Sequence, residues 1–252
     1  MNTAPTERFS DRVENYVQYR PGYPQQAIDF LIDEFNLSSL SVVADIGSGT
    51  GIFTKYLLNH VYRVFAVEPN EPMRMAAEEH LSQYTNVTSV AGTAEHTNLP
   101  AGSIDLITSA TAFHWFDVEQ ARDEFKRILK PDGAVALLWN VKNPDADEFS
   151  VAYKNLVDQY TIDADEKAGL LNGQRLKDFF ANGEYKTTSY PNQQVFDQAG
   201  LIGRSFSSSN APLPYTLDGN RFTNDLKDLF HQYQVESTVT LHYNTMVYTG
   251  RV

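Results

Sequence analysis

Five short runs rich in β-branched and small apolar residues, Val42–Ile46, Val64–Val67, Val87–Ala91, Ile104–Ser109 and Ala134–Trp139, recur through the first part of the chain with helical patterns between them. Runs of this length and composition fit strands buried on both faces. Between the first two, Ile52, Phe53, Tyr56 and Leu57 share one helical face; between the last two, Val118, Ala121, Phe125, Ile128 and Leu129 do the same. Such alternation dictates βαβ crossovers and a parallel, doubly wound sheet, with helices covering its faces. Asp117 reads as a helix N-cap with Gln120 three residues on, and Pro131-Asp132-Gly133 then stops that helix and turns the chain into the next strand.

From about Asn143 to Asn192 the strand rhythm is lost and helical, charged segments take over, including Phe149–Tyr160 and Gln174–Phe180. This stretch is expected to be a helical insertion or lid. The tail Thr238–Val252 returns to alternation, with Val239, Leu241, Tyr243, Thr245, Val247 and Thr249 on one face, and predicts a closing strand. The length of 252 residues suits one α/β domain with an insertion.

Composition removes several classes of function. With no cysteine, disulfides, thiolate zinc sites and cysteine nucleophiles are excluded. A formal charge of −12 with no Lys/Arg-rich run disfavours a nucleic-acid partner. No apolar run approaches the ~20 residues of a membrane helix, so no membrane partner is expected. Residues 1–24 are polar and mixed in charge, without the apolar core of a secretory signal, which leads to the expectation of a cytoplasmic protein. No metal site is expected, and the sequence does not define an oligomeric state.

Asp45-Ile46-Gly47-Ser48-Gly49-Thr50-Gly51 comes directly off the first strand and opens a helix. Glycines allow a tight turn with positive φ and close approach of a ligand to bare backbone. By itself this motif is compatible with an ordinary strand-to-helix turn or a nucleotide site. Glu68 narrows it: it ends the second strand 17 residues after Gly51, where a carboxylate can accept hydrogen bonds from both ribose hydroxyls of an adenosine. A nicotinamide enzyme shares both features, but its fingerprint is Gly-x-Gly-x-x-Gly, and here the glycines fall at 47, 49 and 51 with Ile52 in the third position. Asp45 argues the same way, because a carboxylate is costly beside a pyrophosphate and favourable beside an ammonium group. A methionine-derived tail fits better than a dinucleotide.

The ordered set Asp-x-Gly-x-Gly-x-Gly, Val67-Glu68-Pro69, Gly92-Thr93-Ala94-Glu95, Ile104-Asp105-Leu106-Ile107 and Leu129-Lys130-Pro131-Asp132-Gly133 resembles the motifs of class I S-adenosylmethionine-dependent methyltransferases over roughly Val42 to Asn140. The resemblance implies an α/β, doubly wound, Rossmann-like seven-stranded sheet whose last strand is antiparallel, with the helical insertion before the last two strands. It implies one domain over 1–252, divided into an N-terminal lid (1–40), a cofactor-binding core (41–140), the insertion (141–192) and a closing part of the sheet (193–252). Carried over residue by residue, it implies that Asp45, Gly47, Gly49, Gly51, Glu68, Pro69, Ala94, Glu95 and Ala110 surround S-adenosylmethionine. Many relatives have Asp where this chain has Thr93, which shifts the adenine contact towards Glu95 or a backbone group.

The opening Tyr16-Val17-Gln18-Tyr19-Arg20-Pro21-Gly22-Tyr23-Pro24 and the tail Tyr243–Arg251 are similar to segments of a small-molecule branch that includes trans-aconitate methyltransferase-like proteins. That likeness places Tyr19 and Arg20 over the donor and Tyr16 near the acceptor, with Arg20 able to hold a carboxylate bidentately. The fourth strand runs into Thr111-Ala112-Phe113-His114-Trp115, which makes His114 the candidate general base and Trp115 a candidate acceptor wall, against the alternative that both are structural. Tyr153 in the insertion is a further candidate acceptor contact. The expected activity is methyl transfer to a small molecule, in particular a carboxylic acid; the competing readings are a nicotinamide-dependent oxidoreductase and a non-catalytic S-adenosylmethionine-binding protein.

Overall fold

The computed structural model describes residues 19–160, 173–208 and 211–252. Strands β1 (Val42–Ile46), β2 (Arg63–Val67), β3 (Val87–Val90), β4 (Ile104–Ala110), β5 (Leu129–Lys142), β6 (Lys186–Phe196) and β7 (Val239–Gly250) form one sheet in the order β3-β2-β1-β4-β5-β7-β6. The first five run parallel, and β7 is antiparallel to both β5 and β6. Helices α1 (Gln25–Glu34), α2 (Thr54–Leu57), α3 (Glu71–His80), α4 (Val118–Ile128), α5 (Glu148–Tyr160), α6 (Gly173–Phe179), α7 (Gln198–Phe206) and α8 (Leu217–Tyr233) surround it. The chain winds outward from β1 in both directions, so the carboxyl ends of β1 and β4 flank a crevice where the winding reverses.

The pleat sorts the core into two layers. Along β5, Val135 and Leu137 join the cluster that holds Phe125 and Ile128 of α4 and Leu176 and Phe179 of α6. Ala134, Ala136 and Leu138 face the opposite way, into the cluster with Ala27, Ile28 and Leu31 of α1 and with Leu57 of α2. On β4, Leu106 and Ile107 obey the same alternation, but a register shift between Ile104 and Leu106 turns Ile104 to the face of Ile107. A third cluster, with Phe149, Tyr153, Leu201, Phe222 and Leu226, packs α5, α7 and α8 around the far end of β7. The Asp117 side chain caps α4 by accepting from Gln120 N–H at 3.0 Å, and Asn70 caps α3 by accepting from Met73 N–H at 3.0 Å.

The closing strand forms as the tail's alternation predicts, buried at every second residue from Val239. Three expected boundaries shift. The insertion ends at β6, which begins at Lys186 rather than beyond Asn192, because β6 is an edge strand. Its sequence KTTSYPNQQVF is polar or exposed along most of its length and carries no apolar stripe to announce it. Pro191, which cannot donate to a ladder, is tolerated there. Residues 131–133 lie within the span of β5 rather than before it: Ile104 pairs with Leu129 and Leu106 with Ala134, so the extra residues form a bulge. In the expected lid, α1 buries Ala27, Ile28 and Leu31 against the sheet and is a core helix, leaving residues 19–24 as a short strap before it.

Phe125 is fully buried and packs edge-on against Phe179, with ring centroids 5.6 Å apart. Phe125→Ala is expected to lower the unfolding free energy by about 3–5 kcal/mol in urea denaturation, the cost of a large apolar cavity.

Candidate active site

The glycine turn leaves β1 into the crevice with Gly47, Gly49 and Gly51 at φ 69, 56 and 77°. Two of these positions are also sterically closed: a Cβ at Gly47 would stand 2.5 Å from Ala112 Cβ, and one at Gly51 would stand 2.8 Å from Leu81 Cδ1. The turn is thus clamped between the 3-10 turn Phe113–Trp115 that follows β4 and the end of α3. Gly47 N–H and Ser48 N–H both donate to Val67 O, at 2.8 and 3.1 Å, tying the turn to the end of β2.

Two buried carboxylates hold this geometry. Asp45 is fully buried and accepts from Thr54 Oγ1 at 2.6 Å and Thr108 Oγ1 at 3.0 Å. Burial pushes its pKa up to about 6, against the opposing pull of the two hydroxyls. Glu68 accepts from Gly49 N–H at 3.0 Å through one oxygen and from Asn70 N–H at 2.9 Å through the other. Burial raises its pKa as well, while those backbone bonds and Arg74 lower it. Each oxygen of an ionised carboxylate has two acceptor positions, so each Glu68 oxygen can take one further donor.

Other residues singled out in the sequence fall into two groups. Asp45, Gly47, Ala110 and Arg20 line one cleft, together with Pro21, Tyr23, Ser48, Thr50, Ile52, Phe53, Thr111, Asn140 and Arg204. Arg20 reaches across the strap and donates through Nη2 to Ser207 O at 2.9 Å. Pro69 adjoins Glu68 and accepts from Arg74 Nη1 at 2.9 Å. Ala94 is buried in the core below, and the Glu95 carboxylate accepts from Asp117 N–H at 2.8 Å at the start of α4. Their loop is pinned by Glu124, which accepts from Thr97 N–H and Oγ1 at 2.9 and 2.5 Å.

His114, Trp115, Tyr19 and Tyr153 form the second group; like Gly49, Gly51, Glu68, Pro69, Ala94 and Glu95, they are not among the residues that line that cleft. The His114 ring lies against Trp115 and Trp139, with centroids 4.4 and 4.8 Å apart, and Trp115 packs on the α4-side core. The Tyr19 ring lies on Gly203 of α7, where an added Cβ would meet its Cε2 at 2.2 Å. Tyr153 is buried among α5, α7 and α8 and exchanges a hydrogen bond with Ser205 Oγ at 3.0 Å. Tyr16 lies outside the described residues.

Sequence reasoning missed Thr111, Asn140 and Arg204. Thr111 has φ 59°, a strained conformation for a β-branched residue, and its Oγ1 is 3.1 Å from Tyr23 OH. Asn140 accepts from Thr245 Oγ1 at 2.5 Å and donates to Gly22 O at 3.1 Å; Asn192 donates to that same carbonyl at 2.9 Å. Positive φ at Thr111 and the partners of Asn140, 118 and 105 residues away, leave no local pattern; the position of Asn140 at the end of the fifth apolar run is the one signal near it.

A seven-stranded sheet of this order, with a glycine turn at the carboxyl end of β1 and a carboxylate at the end of β2, is a fold shared with solved structures assigned as methyltransferases. Residues 44–137 match the family model of a methyltransferase domain. The chain is 35% identical over 136 residues to an uncharacterized methyltransferase-like protein of Schizosaccharomyces pombe, covering 54% of this chain and 52% of that protein. It is 23% identical to a Saccharomyces cerevisiae protein assigned as an S-adenosylmethionine-dependent methyltransferase, covering 94% of each. The chain spans about half the length of the first curated relatives it matches. Among solved structures it superposes on one from Anaeromyxobacter dehalogenans assigned as a type II methyltransferase, with a TM-score of 0.71, 21% identity and coverage of 92% and 98%. Among the described residues, no group of three or more His, Asp or Glu side chains is placed to hold a metal, and no helix is long and apolar enough to cross a membrane.

The raised pKa of Asp45 has a defined thermodynamic sign. The folded state binds this proton more tightly than the unfolded state, so ionising Asp45 costs stability, progressively from pH about 4 to about 6 and in full above that. A shift of two units corresponds to about 3 kcal/mol. Asp45→Asn removes this cost; its unfolding free energy relative to the wild type is expected to rise by about that amount between pH 4 and pH 7. Urea denaturation at the two pH values measures it, and a difference that does not change with pH would refute the assignment.

Proposed function

We propose that this chain transfers the methyl group of S-adenosylmethionine to a small organic acceptor, with a carboxylic acid as the candidate class. The observation that carries the donor part of this reading is Glu68: its two oxygens are fixed by backbone N–H groups beside the glycine turn, each with an acceptor position left for a ribose hydroxyl. The residues present fit the donor in three further respects. The turn offers bare backbone for close approach, Asp45 supplies negative charge in a cleft that takes a cationic tail, and the glycine spacing lacks the dinucleotide pattern.

When bound, S-adenosylmethionine supplies an electrophilic methyl on a sulfonium whose departure as a neutral thioether needs no acid. The protein's work is therefore alignment and exclusion of water. The strap 19–24 closes the cleft from above, held by Asn140 and Asn192 at Gly22 and by Gln194, which donates to Tyr19 O at 3.2 Å. The Tyr23–Thr111 pair sets the wall nearest the end of β4. A carboxylate acceptor is already ionised at neutral pH and forms its new O–CH3 bond with no proton to remove, so a site without a dedicated base suffices for it.

Glu68→Ala is expected to weaken S-adenosylhomocysteine binding by about 1.5–3 kcal/mol in calorimetry, as for lost charge-assisted hydrogen bonds; unchanged affinity would remove the ribose role. For His114, packing between two indoles supports a structural part. The expected result of His114→Ala is a lower melting temperature with turnover per folded molecule retained. A general base would instead show a fall of about 10²–10⁴ in turnover at unchanged donor affinity.

A further inference from the structure

At the edge of the cleft, three cationic side chains from separate parts of the chain come near one another. Arg20 and Arg204 line the cleft that holds the glycine turn. Lys142 stands on β5 two residues after Asn140, on the same face of the strand and roughly 7 Å further from the turn. Its ammonium lies 4.8 Å from the centroid of the Tyr153 ring on α5. Opposite it in the ladder is Tyr243 of β7, whose hydroxyl accepts from Arg204 Nε at 3.1 Å. Lys142 is exposed to solvent along its stem, with protein close around its ammonium. Crowding by protein, and after it the charges of Arg204 and Arg20, together lower its pKa to about 7. On α5, Lys154 adds to that repulsion and Asp158, which is paired to Lys154 at 2.5 Å, offsets it.

A chain with a formal charge of −12 has brought these like charges near one another, where Arg204 and Arg20 make the Lys142 ammonium harder to keep ionised. An oxyanion bound among them would reverse the sign of that interaction and would find donors of two geometries, planar guanidinium forks and a compact ammonium. We propose that Lys142, with Arg20 and Arg204 beside it, forms the acceptor subsite and selects a small acceptor bearing an anionic oxygen group, a carboxylate or a phosphate. The proposal rests on the methyltransferase reading, because it takes the cleft next to Lys142 as the donor site. It also separates two tasks: Arg20 and Arg204 border the donor cleft as well, whereas Lys142 lies a step outside it and acts on the acceptor alone. The Tyr153 ring then acts on the acceptor through the ammonium it supports.

The test uses the whole chain and two probe anions. S-adenosylhomocysteine is titrated into wild type, Lys142→Met and Lys142→Arg, and citrate or inorganic phosphate is then titrated into each complex. One of the two anions is expected to bind the wild-type complex, citrate pointing to a carboxylate acceptor and phosphate to a phosphorylated one. Lys142→Met is expected to weaken that anion by about tenfold or more, the cost of a lost charge-assisted contact, and Lys142→Arg to restore most of it. S-adenosylhomocysteine affinity should stay within about twofold in all three, since Lys142 stands outside the donor cleft. Equal anion affinity in wild type and Lys142→Met overturns the proposal, as does the absence of binding by either anion. A parallel loss of S-adenosylhomocysteine affinity overturns it too, by assigning Lys142 to the donor's own carboxylate. Failure of the wild type to bind S-adenosylhomocysteine at all overturns the methyltransferase reading instead.

Discussion

Asp45 joins three elements at the one place in the sheet where the winding reverses. One of its oxygens receives the hydroxyl of Thr108 on β4 and the other receives that of Thr54 on α2, while its own backbone belongs to β1. A carboxylate enclosed in this way is expensive, and burial raises its pKa accordingly. The arrangement persists because the two hydroxyls offset part of that cost and because the turn that follows has no slack: Ala112 and Leu81 occupy the space that side chains at Gly47 and Gly51 would need.

The second side of the site is assembled from long-range polar contacts. Gly22 O accepts from asparagines on β5 and β6, and the Asn140 oxygen in turn accepts from Thr245 on β7. Three strands therefore hold one peptide of the strap. The antiparallel pair β6–β7 serves as the abutment on which the strap rests, in addition to closing the sheet. Tyr23 then connects the strap to the strained Thr111 at the end of β4. Strain of this kind survives only where neighbours over-determine the backbone, and here Thr111 N–H is fixed to Leu138 O at 2.8 Å.

The proposed donor side and the proposed acceptor side differ in how they are built. The former uses backbone N–H groups and two buried acids on elements adjacent in sequence. The latter uses long cationic side chains on β5, α7 and the strap, with Lys142 over the Tyr153 ring and Arg204 over the Tyr243 ring. A cluster formed by helices inserted on either side of β6 can be rebuilt without disturbing β1 or β4, which lets one donor site serve different acceptors.

The sequence determined the parallel half of the sheet, the turn and its paired acid, because these depend on short-range rules: buried strands are continuous apolar runs, a tight turn needs glycine, and Glu68 follows at the distance of one crossover. It also announced β7, whose alternation reflects a strand with one face in the core. Tertiary structure decided what sequence spacing cannot carry. β6 stayed hidden because an edge strand needs no apolar stripe. His114 and Trp115 pack on indole and core side chains, and Tyr153 lies against the Lys142 ammonium, contacts that spacing along the chain does not announce. Asn140, Arg204 and Lys142 gained their significance only when β5, α7 and the strap were brought together, since a polar side chain has the same local pattern whether it meets water or a cleft.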